Sequence, residues 1–95
     1  MNQIKQQKIN DEIRRKQDVI YLSKGVQRYC QQEVGEIMER VRSFKDFNVH
    51  NDPFKEHNFG LFTYKGKSFL WKIDTQYPKN IPFNKYLVVM EAGEY

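Results

Sequence analysis

Hydrophobic and polar residues follow two different periods along this chain, one typical of helices and one typical of strands. Between residues 31 and 44 the apolar side chains recur at helical spacing, and charged side chains occupy the opposite face. Segments 57–64 and 67–74 alternate with a period of two and are separated by Lys65-Gly66, as in a β-hairpin. These patterns predict an amphipathic helix that packs on a sheet. The apolar stripe of the helix is Val34, Ile37, Met38, Val41 and Phe44.

Other segments complete the predicted fold. Residues 3–16 are polar apart from a thin stripe of isoleucines, and this pattern predicts an N-terminal helix. Two further segments, 18–22 and 86–92, are rich in β-branched and aromatic side chains, which predicts strands. Gly25 is expected to end the first of these strands. We therefore predict one α+β domain over residues 1–95, a usual domain size. Its small antiparallel sheet has about four strands with the hairpin at its centre, packed by one amphipathic helix and joined by the N-terminal helix.

The Lys65-Gly66 bend also predicts the register of the hairpin. If these residues form the loop, Tyr64 pairs with Lys67 and Trp71 lies opposite Gly60, where a large ring can cover a bare backbone. The face that carries Gly60 and Trp71 is apolar. It is therefore predicted to face the core.

The opposite face of the hairpin carries candidate chemistry. In the same register His57 lies opposite Asp74, and cross-strand Cβ atoms are about 5 Å apart, so a hydrogen bond between them is within reach. A three-residue loop would shift the register by one residue and break this pair. An imidazole held by a carboxylate, with Lys72 and Glu56 nearby, could perform general acid–base catalysis. The candidate catalytic residues are thus His57, Asp74, Glu56 and Lys72. The candidate binding residues are Asn51, Asp52, Glu56, His57, Lys72, Asp74, Arg14 and Arg15.

The same polar residues also have a structural interpretation. Carboxylates at loop–strand junctions usually accept hydrogen bonds from backbone N–H groups, which suits Asp52. Glu56 and His57 are more often a polar pair at the start of a strand than a catalytic pair. The sequence contains no nucleophile elbow, glycine-rich phosphate loop or Cys/His metal spacing. We predict no cofactor and no metal, although a mixed site of Asp52, Glu56, His57 and Asp74 is a minor alternative.

Charge and cysteine content restrict the partners and the location. The net charge of +4 arises within residues 1–45, where Arg14-Arg15-Lys16 could meet nucleic acid or an acidic protein; the simpler interpretation is the solvated face of a helix. A single cysteine, Cys30, excludes an internal disulfide and favours a reducing compartment. No apolar segment approaches the about 20 residues that span a bilayer, and no signal peptide is evident. We therefore expect a cytoplasmic protein without a membrane partner.

Several segments resemble one known family. Residues 51–60 read Asn-Asp-Pro-Phe-Lys-Glu-His-Asn-Phe-Gly, and residues 69–74 read Phe-Leu-Trp-Lys-Ile-Asp. They resemble the bacterial domain-of-unknown-function family 3768, whose signature runs Asn-Asp-Pro-x-x-Glu-His-Asp-Phe-Gly and then Phe-Trp-Lys-Ile-Asp. Three further segments resemble the family. Residues 9–14 resemble its early Leu-Asn-Asp-x-Phe-Arg, and residues 23–26 resemble its Thr-x-Gly-Val. Residues 87–95 resemble its closing strand with a terminal Glu-Tyr.

The chain departs from the family pattern at two places. Asn58 stands where the family usually has Asp, so a catalytic or metal-binding group at that position would be missing here. Thr75-Gln76 replaces an aromatic, acid-bearing stretch. The resemblance brings no established activity. It implies a small bacterial protein, often from mobile or accessory gene sets.

Three functions fit these observations. The first is a non-catalytic module that binds another macromolecule, most simply a protein, as an inhibitor or accessory factor of mobile-element type. The second is a small hydrolase or nuclease centred on His57, Asp74 and Glu56, with Lys72 stabilising developing charge. The third is nucleic-acid binding through the basic N-terminal helix.

Overall fold

The main helices and the strands form near the segments where the hydrophobic spacing predicts them, and a short helix at Lys24–Gln27 was not predicted. The computed structural model describes residues 3–16, 20–50, 52, 55–75 and 85–95. Its helices and its four-stranded sheet confirm the α+β class. Asp18 and Val19, at the start of the first predicted strand, lie outside the described residues. The elements are α1 (Gln3–Lys16), β1 (Ile20–Leu22), α2 (Lys24–Gln27), α3 (Gln31–Arg42), β2 (Phe59–Tyr64), β3 (Lys67–Thr75), β4 (Lys85–Glu91) and a final 3-10 turn (Ala92–Glu94).

The sheet has the strand order β1-β4-β3-β2. Neighbours β2 and β3, and β3 and β4, are antiparallel, but β1 runs parallel to β4, so the sheet is mixed rather than purely antiparallel. The hairpin is also not central as a whole. Because β4 pairs with the far side of β3, β3 lies in the interior of the sheet and β2 forms one of its edges.

The predicted hairpin register is confirmed. Tyr64 pairs with Lys67 and Gly60 pairs with Trp71. Lys65 and Gly66 have φ values of 50° and 81°, the positive values that a two-residue type I′ turn requires. Trp71 is fully buried, and a Cβ atom on Gly60 would lie 2.7 Å from Cζ of Phe44 and closer still to the indole nitrogen of Trp71.

The core lies between the helices and one face of the sheet. The predicted apolar stripe of α3 supplies three fully or largely buried residues, and α2 adds a fourth. Gly25 does not end β1 as expected: it lies in α2, whose first turn is capped by the Ser23 side chain. Among the residues that the structure describes, the fully buried apolar side chains are Val26, Ile37, Val41, Phe69, Trp71, Leu87 and Val89.

We call the other face of the sheet the outer face. The two long helices of the described residues, α1 and α3, both pack on the core face instead. One row across it runs from Tyr21 on β1 through Val88 and Lys72 to Phe59 on β2. The C-terminal Tyr95 packs on this row: its ring centroid lies 6.4 Å from that of Phe59 and 5.4 Å from Nζ of Lys72. A second row contains Met90, Leu70 and Leu61. Within the described ranges, no helix has the length and apolar character needed to cross a membrane.

Candidate functional site at the junction of α1 and the motif loop

The backbone of His57 directs its ring away from Asp74. Strand β2 begins at Phe59, and His57 has a φ of 55°, which turns the chain before the ladder begins. The imidazole stacks on Phe47 with ring centroids 3.8 Å apart and planes 7° apart. Phe47 in turn packs on Trp71, on the helical side of the sheet. The predicted pair of His57 with Asp74 is therefore wrong.

Both ring nitrogens of His57 face carboxylates of the chain itself. Nδ1 lies 3.2 Å and 3.3 Å from the carboxylate oxygens of Asp11 on α1. Nε2 lies 3.8 Å from Oδ2 of Asp52. Because the two acids approach opposite edges of the ring, they do not converge on one position. Accordingly, the described residues include no group of His, Cys, Asp or Glu arranged to hold a metal ion.

Asp52 organises the segment that we call the motif loop, residues 52 and 55–58. Its buried carboxylate accepts hydrogen bonds from the backbone N–H groups of Glu56 at 2.8 Å and His57 at 3.1 Å. This is the capping role that the structural interpretation predicted for Asp52. The loop is joined to α1 by Asn10, whose side chain is buried and donates to the carbonyl oxygen of Glu56 at 2.9 Å.

Arg14 on α1 connects the cluster to the hydrophobic core. Its Nη1 donates to the carbonyl oxygen of Phe44 at 2.8 Å, and its Nη2 lies 3.3 Å from Asp11. The guanidinium carbon lies 4.8 Å from the ring centroid of Trp71. Arg14 is only 2% exposed, so the prediction that it belongs to a solvated, partner-binding charge run is wrong. Burial lowers the pKa of Arg14, while the nearby Asp11 carboxylate acts in the opposite direction.

The remaining predicted site residues fall into separate places. Lys72 and Asp74 lie together on the outer face, with Nζ and Oδ2 3.1 Å apart, and Asp74 is paired along the ladder with Tyr86. Arg15 is exposed on α1. Asn51 lies outside the described residues. The predicted single cluster is thus two groups on opposite faces of the sheet.

Sequence reasoning missed Asp11, Asn10 and Phe47 as members of the cluster. Asn10 and Asp11 belong to the segment 9–14 that carries part of the family resemblance, which is the signal that could have drawn attention to them. Nothing in their spacing indicates a contact with His57, which lies 46 positions further along the chain than Asp11.

A second junction joins the end of the chain to α2. Glu94 accepts hydrogen bonds from the hydroxyl of Ser23 at 2.5 Å, from the backbone of Gly25 at 2.9 Å and from the backbone of Glu91 at 2.8 Å. The hydrogen bond from Ser23 is the main reason why the pKa of Glu94 is lowered. A Cβ atom on Gly25 would lie 2.6 Å from the Glu94 carboxylate, so a larger residue at this position would have to displace that carboxylate from its hydrogen bonds.

An open pocket of about 350 Å³ lies beside this second junction. Its charged lining residues are balanced, because Arg28 and Lys67 stand with Glu33 and Glu91. Glu91 already accepts a hydrogen bond from the hydroxyl of Tyr29 at 2.9 Å and lies 3.8 Å from Nζ of Lys67. The pocket therefore presents no unneutralised charge cluster for a small ion.

Comparison with known families agrees with the resemblance noted in the sequence. The family model described as protein of unknown function (DUF3768) matches residues 22–84. The chain belongs to this family. The DUF3768 match includes Ser23, Gly25, the motif loop and the hairpin, whereas Asp11, Arg14 and Glu94 lie beyond the matched residues. No curated protein and no solved structure matches the chain.

Proposed function

We propose that this DUF3768 protein is a non-catalytic binding module that docks on another protein through the outer face of its sheet. The observation that carries this proposal is the exposure of two tyrosine side chains on that face. Tyr21, at the β1 edge of the face, is 51% exposed, and Tyr95 is 76% exposed, whereas Val88 and Leu70 in the middle of the face are buried. Aromatic side chains of this kind are enriched at the centres of protein interfaces.

The charge of the outer face favours a protein partner over nucleic acid. Its central charged residues, Lys72 and Asp74, neutralise one another at 3.1 Å. Nucleic-acid binding depends on cations that replace the counterions of phosphates. A neutral face with aromatic and aliphatic side chains instead complements an apolar protein surface with a polar rim.

The two alternative functions have weaker support. A hydrolase that uses His57 as a general base needs a ring nitrogen within hydrogen-bond reach of a substrate. In the observed arrangement both nitrogens are directed at Asp11 and Asp52. Nucleic-acid binding through α1 loses Arg14, which is buried. The inhibitor or accessory role of mobile-element type remains our proposal for the biological setting of the binding module.

Surface variants test this proposal. Tagged wild type and the double variant Tyr21→Lys/Tyr95→Ala would be used to capture proteins from a lysate of the natural host. A protein captured by the wild type would then be purified and titrated calorimetrically against both forms. Because interface aromatics commonly contribute more than about 1 kcal/mol each, the double variant should weaken binding by about tenfold or more.

The matched control is Val49→Lys, which changes a residue that is 72% exposed on the loop between α3 and β2. This control should bind the partner as tightly as wild type. Equal binding by wild type and the double variant would contradict docking through the outer face. The non-catalytic assignment would be contradicted if the wild type showed hydrolase or nuclease activity and His57→Ala lost that activity while it kept its fold and partner affinity.

A further inference from the structure

The free edge of β2 presents backbone groups that can pair with another strand. In an antiparallel pair, every second residue of an edge strand forms hydrogen bonds with the neighbouring strand. The backbone N–H of Ile73 donates to the carbonyl of Asn58 at 3.0 Å, so Asn58 is one of the residues whose backbone groups face β3. Residues 58, 60, 62 and 64 therefore direct their N–H and C=O groups at β3. Those of Phe59, Leu61 and Thr63 point away from the sheet. Among the described residues, no backbone hydrogen bond reaches these outward groups.

This edge lacks the features that normally protect sheet edges. Natural edge strands are shortened, charged, interrupted by proline or bulged, because an open edge is a template for another strand. The sequence of β2, Phe-Gly-Leu-Phe-Thr-Tyr, has no charge and no proline, and its ladder with β3 runs without a bulge. The opposite edge strand, β1, has only 3 residues. The two edges therefore differ in their capacity to extend the sheet.

We infer that β2 pairs with β2 of a second copy of this chain, antiparallel and about a two-fold axis at Leu61. In this register Leu61 lies opposite Leu61 of the second copy, and Phe59 lies opposite Thr63. All the outward N–H and C=O groups of these residues then meet complementary groups of the other strand. The result is one continuous sheet across two chains.

The side chains of β2 are complementary to themselves in this arrangement. On the outer face the half-exposed Leu61 side chains of the two copies meet at the axis. On the core face Phe62 lies opposite Gly60 of the second copy, which has no side chain to collide with the ring and whose backbone is already covered by Trp71 and Phe44 of its own chain. A two-fold axis places identical residues near one another, so a charged strand would repel itself. The neutral β2 avoids that repulsion, which favours a second copy over a charged peptide as the occupant.

This inference is independent of the proposed function, because it concerns an edge of the sheet and its backbone groups. The proposed docking of a partner uses the outer face and the aromatic residues Tyr21 and Tyr95. A dimer could therefore form whether or not a partner protein docks on that face.

The mass in solution tests the inference. Light scattering coupled to size-exclusion chromatography should give twice the chain mass of 11.5 kDa for wild type in the high micromolar range. Leu61→Lys places two like charges opposite one another at the axis and should halve the mass. Tyr21→Lys is the matched control, since Tyr21 has the same 51% exposure but lies on the other edge. Its mass should remain that of the dimer.

A mixing experiment identifies the contact at the axis. Leu61→Lys and Leu61→Glu should each be monomeric, and an equimolar mixture of the two should recover the dimer mass because opposite charges then face one another. Thr63→Pro provides a second variant, since it removes an outward N–H without removing a bond to β3 and should also give a monomer. Circular dichroism would establish that each variant is folded.

Three results would overturn the inference. They are a monomeric wild type over the whole concentration range, a folded Leu61→Lys variant that keeps the dimer mass, and a mixture of the Lys and Glu variants that stays monomeric.

Discussion

At the scale of single residues, the backbone conformation of His57 decides what its imidazole can do. A strand conformation would have placed the ring on the outer face, beside Lys72 and Asp74. The positive φ of 55° instead places it on Phe47, between Asp11 and Asp52. Positive φ values are uncommon outside glycine, although His adopts them more readily than most residues. The ring thereby becomes a link between α1 and the motif loop.

A double-mutant cycle distinguishes the observed pair from the predicted one. His57→Ala should lower the free energy of unfolding by about 1–3 kcal/mol, because it removes the stack on Phe47 and the hydrogen bond to Asp11. Asp74→Ala should cost less than about 1 kcal/mol, since it removes a surface ion pair with Lys72. Urea denaturation gives both values. Coupling above about 0.5 kcal/mol is expected between His57 and Asp11; coupling of that size between His57 and Asp74 would contradict the observed geometry.

The capping role of Asp52 gives a second prediction at this scale. Asp52→Ala leaves the backbone N–H groups of Glu56 and His57 without their acceptor and should cost about 1–3 kcal/mol. Asp52→Asn retains an oxygen at the same position and should cost less. Chemical denaturation measures both variants. Equal losses in Asn and Ala variants would indicate that charge, rather than the hydrogen bonds, matters at this position.

At the scale of elements, the β2–β3 hairpin was the most predictable part of the fold. The Lys65-Gly66 turn fixes the register, and the alternation of side chains then fixes both faces. The same local rules did not predict where the strand begins. The ladder ends before His57, because Asp52 holds the preceding loop in a turned conformation. That interaction depends on the burial of Asp52, which local periodicity does not reveal.

Two glycine substitutions test the packing of these elements. Gly60→Ala should destabilise the protein by about 1–3 kcal/mol, because its Cβ atom would overlap Phe44 and Trp71. Gly35→Ala, on the exposed side of α3, meets no atom within 4 Å and should stabilise the protein by up to about 1 kcal/mol. Thermal unfolding measures both effects. A neutral Gly60→Ala variant would show that Trp71 does not require the bare backbone of β2.

At the scale of the whole molecule, two polar junctions join segments that are distant in sequence. Asp11 and Arg14 of α1 meet the motif loop, and Glu94 meets Ser23 and Gly25. Segments that resembled the family separately therefore come together in space. Their shared feature is that charged or polar side chains, rather than apolar ones, make the connection. The junction at Glu94 should consequently be sensitive to pH, because the pKa of this carboxyl is lowered in the folded protein.

Acid should weaken the junction at Glu94. Because its pKa is lowered in the folded protein below the ordinary value of 4.5, its contribution to stability is complete above that value and is lost as the pH falls through the folded pKa. Glu94→Gln should therefore unfold more easily than wild type near neutral pH, with the difference shrinking in acid. Thermal unfolding at several pH values tests this. Ser23→Ala should reduce the pH dependence in the same way, and a difference independent of pH would contradict the prediction.

Sequence alone determined the hairpin register, the amphipathic α3 and the candidate loop residues, because these depend on neighbours two to four positions apart and on turn chemistry. Tertiary structure decided the parallel pairing of β1 with β4, the burial of Arg14 and the contact of His57 with Asp11. Each of these depends on which distant segments share a desolvated space. A charged residue such as Arg14 looks solvated in the sequence. Only the packed fold brings it over Trp71 and beside a carboxylate.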